Sequence, residues 1–228
     1  EIIFTENVTE LPMEKSGSSD EFRDLEVRKV RFDGLKTLTP KAFIDSTSLE
    51  TVDFSKDKNL VAIKNHAFYN CESLSELLLP ENNQNTINIG EQAFVNTGFV
   101  SLGRKDSGMD FSKCSLVFEK PGYTFGQCQK LKDLYIPNGF NNNSVIQFMF
   151  YECPSLERVE VDYQIENIEY EAFYDCPKLK DIFIWGNTNI EGIYTESEEV
   201  FREVVIDKDN SVQLSESSVK GSSKVLRS

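Results

Sequence analysis

The stretch Ile63–Pro80, IKNHAFYNCESLSELLLP, has a second copy further along the chain, Ile168–Ile184, IEYEAFYDCPKLKDIFI. Laying one over the other puts most of the chain in register. With the phenylalanine of the Ala-Phe pair taken as zero, the equivalent residues are Phe43, Phe68, Phe94, Phe125, Phe150 and Phe173, at steps of 25, 26, 31, 25 and 23 residues. The residue before zero is small in four units (Ala42, Ala67, Ala93, Ala172), and Thr124 and Met149 replace it in the others. Three residues after zero stand Cys71, Cys128, Cys153 and Cys176, with Ser46 and Thr97 in the remaining units. Six after come Leu49, Leu74, Leu131, Leu156 and Leu179; nine and eleven after come Val52/Phe54, Leu77/Leu79, Leu134/Ile136, Val159/Val161 and Ile182/Ile184. Five before sit Leu38, Ile63, Ile89, Val145 and Ile168.

The L-x-x-L-x-L part alternates apolar and polar, which is strand periodicity. The Ala-Phe part returns the chain across the back of a coil. One unit of this size cannot bury its apolar face alone, whereas stacked units share a column of Leu, Ile, Val and Phe. Periods of 20 to 29 residues with this spacing read as leucine-rich repeats. The expected fold is therefore α/β: a right-handed leucine-rich-repeat solenoid with parallel strands on the concave face and short helices or turns on the back. The unit at Phe94 reads AFVNTGFVSL, one residue short, so that Phe99 takes the leucine position.

The repeat resembles the BspA-type leucine-rich repeat, I-G-x-x-A-F-x-x-C-x-x-L-x-x-I-x-L-P. The match is nearly letter for letter in Ile89-Gly90-Glu91-Gln92-Ala93-Phe94, in Cys71-Glu72-Ser73-Leu74 and in Leu79-Pro80. It covers about residues 25–190. The resemblance implies a surface or secreted protein of a gut or oral bacterium or a protist. It also implies adhesion or ligand binding, often to host matrix proteins or other cells, and supplies no catalytic residues.

Three regions are expected: 1–24 as an N-terminal cap or the end of a preceding repeat, 25–190 as a solenoid of six to seven repeats, and 191–228 as a C-terminal cap and polar linker. Insertions fall at 81–88, 103–122 and 138–144. The middle one breaks the pattern and is read as a tolerated loop with its own hairpin, Leu116–Phe118 being one strand, or else as a binding loop at the rim. Thr195–Val204 reads as a short helix and Val204–Ile206 as a last strand. A longer native chain is expected beyond Ser228, with any signal or anchor outside these residues.

The net charge is −14 over 228 residues, which argues against nucleic acid or an anionic membrane as the main partner. No apolar run approaches 18 residues, so no membrane insertion is expected. Four of the five cysteines share one inward repeat position and read as small core hydrophobes. Without a C-x-x-C pair they do not converge as a zinc site. Cys114 lies outside the register, and an odd count argues against a disulfide framework. His66, the single histidine, occupies a variable position shared with Lys41, Gln92, Tyr123, Phe148 and Glu171, and nothing marks it as a catalytic base. Asp207-Lys208-Asp209-Asn210-Ser211 starts like a calcium loop, but Val212 and Ser218 stand where its Gly and Glu belong. Asn7-Val8-Thr9 and Asn142-Asn143-Ser144 fit the N-glycan acceptor pattern.

The strand positions between the apolar residues face outward. The last of them are Asp53, Leu78, Tyr135, Glu160 and Phe183; the earlier ones are Thr51, Glu76, Asp133, Arg158 and Asp181. Leu78, Tyr135 and Phe183 are thus expected to be exposed, with Trp185 just past its strand joining Phe183. Exposed apolar and aromatic groups on a concave sheet point to a recognition site, and the candidate set is Leu78, Tyr135, Arg158, Phe183 and Trp185. The expected function is a non-catalytic, extracellular or cell-surface binding module, monomeric and without cofactor or metal. Its partner would be an extracellular protein, a host matrix or cell-surface ligand, or a glycan. The alternative is a structural spacer of a larger surface protein.

Overall fold

The computed structural model describes residues 1–4, 26–81, 85–179, 181–185, 188–190 and 203–206. In chain order the strands are β1 (Ile2–Phe4), β2 (Lys29–Phe32), β3 (Thr37–Leu38), β4 (Thr51–Asp53), β5 (Ala62–Ile63), β6 (Glu76–Leu78), β7 (Ile87–Ile89), β8 (Ser101–Leu102), β9 (Leu116–Phe118), β10 (Asp133–Ile136), β11 (Ser144–Val145), β12 (Arg158–Val161), β13 (Asn167–Ile168), β14 (Asp181–Ile184), β15 (Asn189–Ile190) and β16 (Glu203–Ile206). Every pairing is parallel and joins strands of successive turns. The result is a solenoid with two strand columns. The front column comprises β1-β2-β4-β6 and β8-β10-β12-β14-β16; the side column comprises β3-β5-β7-β9 and β11-β13-β15. The expected last strand is present within β16, whose partner is β14.

The repeat residues form the core as expected. Phe43, Phe68, Phe94, Phe125, Phe150 and Phe173 are all buried and stack face to face. Successive centroids lie 5.5, 5.5, 5.3, 5.4 and 5.6 Å apart. Each such pair adds about 0.5–1.5 kcal/mol to the burial itself. A shorter stack, Phe4–Phe32–Phe54 at 4.8 and 5.2 Å, runs behind the first front strands.

The back differs from expectation, because it is built of turns rather than short helices. Two residues before and two after each core phenylalanine, φ is positive: Lys41/Asp45, His66/Asn70, Gln92/Asn96, Tyr123/Gln127, Phe148/Glu152 and Glu171/Asp175. Left-handed residues at this spacing forbid an α-helix. The backbone N–H groups that a helix would use internally instead donate to the next turn. Phe43 N–H reaches Ala67 O at 2.8 Å, Phe68 reaches Ala93 at 2.9 Å, Phe94 reaches Thr124 at 2.9 Å, Phe125 reaches Met149 at 2.9 Å and Phe150 reaches Ala172 at 2.9 Å. Among the described residues the single helical segment is a 3-10 turn at Phe140–Asn143.

The insertion also corrects an expectation. Leu116–Phe118 is a strand, but it pairs in parallel with β7, Ile87 opposite Leu116 and Ile89 opposite Phe118, so it belongs to the side column and not to a hairpin. Ile89 stands five residues before its phenylalanine and Phe118 seven before Phe125, so two extra residues are absorbed after the strand. The rest of the insertion enters the front column between β6 and β8. Leu77 N–H donates to Gly108 O at 2.7 Å, and Gly108 N–H donates to Ser101 O at 2.9 Å. Met109 and Phe111 are buried beneath, while residues 104–107 stand outside as a ridge. In the side column, the Asn141 side chain fills the equivalent gap. Its Oδ1 accepts Phe118 N–H at 3.0 Å and its Nδ2 donates to Ser144 O at 3.0 Å.

Candidate functional site

The ridge divides the front face into two clefts. The first, about 840 Å³, lies on the β6 side; Leu78 forms part of its floor and the Lys113–Glu81 ion pair lies along its edge. The second, about 370 Å³, lies between the ridge and strands β10 and β12, with Arg104, Tyr135, Arg158 and Glu160 in its walls. From sequence, the strands and the insertion are alternative binding surfaces. In the fold, the insertion walls both clefts and the strands floor them.

Leu78 is exposed at 40% and Trp185 at 46%. Tyr135 and Phe183 point outward as expected but are half-buried, because a guanidinium lies on each ring. Arg104 sits 4.2 Å from the Tyr135 centroid and Arg158 4.8 Å from that of Phe183. Arg158 reaches its ring diagonally: it faces Asp181 across the ladder, while Phe183 faces Glu160. Glu160 joins the two halves. Its Oε2 accepts from Arg104 and, at 3.4 Å, from Arg158 Nη2; its Oε1 accepts Trp185 Nε1–H at 3.2 Å. The Tyr135 hydroxyl donates to Asp162 Oδ2 at 2.8 Å. Burial, seconded by that bond to a carboxylate, pushes the phenol up to about 12, so it stays a neutral donor.

Four of the five candidates thus lie in one network, and Leu78 lies apart in the other cleft. Two members escaped the sequence reading. Arg104 is in the insertion, outside the repeat register. Glu160 was legible only as one outward acid among 38 acidic residues. The network amounts to flat, pinned cationic and aromatic surfaces with fixed acceptors beside them.

The repeat cysteines are part of the core. The Cys71, Cys128, Cys153 and Cys176 thiols are fully buried and donate to the carbonyls of Phe43, Phe94, Phe125 and Phe150 at 3.0, 3.5, 3.3 and 3.2 Å. Burial pushes the Cys71 and Cys153 thiols well above their usual range, and Cys114 up to about 12. His66 is half-buried, its ring 5.6 Å from that of Tyr69. Among the described residues no three His, Cys, Asp or Glu side chains are grouped to hold a metal ion. No helix among them is long and apolar enough to cross a membrane. The calcium-like stretch, residues 195–202 of the expected acidic helix and the Asn7 acceptor lie outside the described residues; Glu203 and Val204, the last two residues of that helix, are instead strand in β16. One buried carboxylate stands apart from the clefts. Asp57 Oδ1 accepts Gly34 N–H and, at 2.6 Å, Leu35 N–H, while its Oδ2 is buried without a partner. Burial raises Asp57 to about 6.

The model for the BspA-type leucine-rich-repeat region matches residues 2–116 and 121–223, in six copies. No curated protein sequence matches. Among solved structures, a leucine-rich-repeat protein of T. pallidum is similar at 19% identity and a TM-score of 0.43, over 86% of this chain and 71% of that one. One from Bacteroides ovatus aligns at 16% identity and a TM-score of 0.43; the match covers 90% of this chain and 63% of that one. A leucine-rich cell surface protein of Faecalibacterium prausnitzii aligns at 15% identity and a TM-score of 0.31, over 89% and 70% of the two chains.

Proposed function

The chain belongs to the BspA-type leucine-rich-repeat family, and on that premise we propose that it is a non-catalytic binding module of a cell-surface or secreted protein. It recognises an extracellular protein or glycan, as in adhesion, through the front face at Arg104, Tyr135, Arg158, Phe183 and Trp185. One observation carries this reading. Two guanidiniums are stacked on two outward rings and tied through Glu160 to an exposed indole. Exposed ion pairs and cation–π contacts each add only about 0.5–1 kcal/mol to a fold. Such a network contributes little to holding the solenoid, but it presents rigid aromatic and Arg groups of the kind that dominate binding interfaces. Repeat solenoids offer extended surfaces for this use.

The test is binding of the intact chain to a panel of matrix proteins and glycans, with Tyr135→Ala/Phe183→Ala alongside. Loss of binding of about tenfold or more in the double variant is expected. Binding unchanged by it moves the site to the Leu78 cleft. A chain that binds nothing on the panel is better described as a spacer.

A further inference from the structure

We infer that the smaller front cleft takes a neutral oligosaccharide, held by its hydroxyl groups in the cleft and by its ring faces on Trp185 and Tyr163. The inference rests on the binding-module reading and names its ligand class. Charge balance is the first argument. The cleft is walled by Arg104, Lys105 and Arg158 on one side of the balance and by Asp106, Asp133 and Glu160 on the other. Three cations against three anions in the walls, with Asp162 a fourth acid behind Tyr135, disfavour a polyanion and offer a polycation little net attraction within the cleft.

The donor and acceptor set is the second argument. A hydroxyl both donates and accepts, so it is satisfied where fixed donors and fixed acceptors alternate. Here the guanidiniums are pinned flat on rings, and the carboxylates of Glu160 and Asp162 are pinned by Arg, Trp and Tyr donors. Arg104 and Arg158 line the cleft and remain 55% and 52% exposed at their side chains, so both are open to a ligand there. Groups already ordered lose little freedom on binding.

The platforms are the third argument. Trp185 Nε1–H is engaged by Glu160, so the exposed part of this side chain offers an apolar face with its one polar atom already satisfied. Trp185 N–H bonds Val161 O, which sets Trp185 beside Asp162 across the ladder; Tyr163 follows Asp162 in the chain. Tyr163 is exposed at 58%. A pyranose presents axial C–H groups on its face and hydroxyls around its edge, matching an aromatic platform beside a rim of fixed polar groups. At about 370 Å³ the cleft is at the small end of ligand sites, which run from about 300 to 1,000 Å³.

The chain has one tryptophan, so its intrinsic fluorescence reports on this site directly. The intact chain is titrated with neutral, sialylated and sulfated oligosaccharides and, separately, with matrix proteins. The expected result is a saturable change in Trp185 emission with a neutral oligosaccharide. Its affinity should change by less than about twofold when salt rises from about 0.05 to 0.5 M, because screening acts on net charge. Tyr163→Ala and Tyr135→Ala should weaken it at least about tenfold, the first with the denaturation midpoint unchanged and the second with a shift of no more than about 2–4 °C. Tighter binding of the sulfated or sialylated series, with loss in salt, overturns the inference. A protein ligand that is lost in Tyr135→Ala/Phe183→Ala, with no glycan response, overturns it while leaving the binding-module reading standing. No response to either class overturns both.

Discussion

The turn column and the front column meet the same insertion and respond differently. The turn column is hydrogen-bonded from Phe43 to Ala172 without a gap, and its phenylalanine stack keeps a nearly constant spacing through the turn that carries the extra residues. The front column breaks once, between β6 and β8, and Gly108 bridges the gap. The difference teaches where this solenoid is rigid and where it has room. The inner stack sets the rise from turn to turn, and the outward strands accommodate irregularity. The clefts lie at the break.

The largest expected effect comes from cutting the turn column. Phe125 is fully buried and stacked between Phe94 and Phe150. Phe125→Ala should cost about 3–5 kcal/mol in urea unfolding, from lost transfer energy and a cavity that neighbouring turns cannot close. Each turn contacts only its neighbours, so the variant should unfold in two steps rather than one. Tyr135→Ala, on the front, should cost about 1 kcal/mol or less. Equal losses would erase the distinction between the columns.

Two glycines sharpen it next. Gly103 has φ +99°, and a Cβ there would sit 1.8 Å from Tyr135 O, so Gly103→Ala must move backbone at the break. A loss of about 2–3 kcal/mol is expected, together with altered Trp185 emission as Tyr135 and its neighbours shift. At Gly126, in the turn column, the added carbon would meet the half-buried Tyr151 ring, a side chain rather than backbone. Gly126→Ala should therefore cost less than Gly103→Ala in the same unfolding experiment. The reverse order would mean that the front yields more easily at its break than the turn face does around one ring.

Asp57 supplies a pH-dependent contrast in the first turns. Its folded value, about 6, lies above the usual 3.9 because burial disfavours the charged form, and Asp33 and Asp53 add to the shift. The folded state then binds the proton more tightly than the unfolded state does. The stability associated with that proton is fully present below about pH 4 and is lost as pH rises through 6. The fall should be on the order of 2 kcal/mol. Asp57→Asn should flatten it in unfolding curves measured between pH 4 and 7.5, and an unchanged slope would assign the dependence to another group.

How much of this was legible follows from what carries each feature. The core and the strand phase were readable because Phe, Cys and Leu recur at fixed offsets. Six left-handed positions two residues after each phenylalanine were half-readable, since Asp45, Asn70, Asn96 and Asp175 are types that tolerate that conformation. Those two residues before were not, because Lys41, His66, Gln92, Tyr123, Phe148 and Glu171 share no chemistry; their φ accompanies the turn-to-turn hydrogen bonding of this column, in which Lys41 and His66 N–H groups themselves take part. The expected short helices fail for this reason. At the site, outward strand residues were readable from alternation, but their burial was not. Arg158 covers Phe183 from a neighbouring strand, and Arg104 covers Tyr135 from outside the repeat. A period finds residues that repeat, whereas Arg104, which closes the network over Tyr135, does not.

The smallest stability effect is expected at Glu160, and it separates the two columns most cleanly. Its partners are half-exposed guanidiniums, so the ion pairs are screened and should contribute no more than about 1 kcal/mol. Glu160→Gln keeps an oxygen for Trp185 Nε1–H but removes the charge that tethers Arg104 and Arg158 above their rings. The unfolding midpoint should stay within about 2–4 °C of the parent, while the Trp185 emission maximum shifts as the indole loses its charged neighbour. Ligand affinity on the front face should fall with that shift. A large loss of stability with no change in emission would instead make Glu160 a structural strut and place the front network in the same class as the phenylalanine stack.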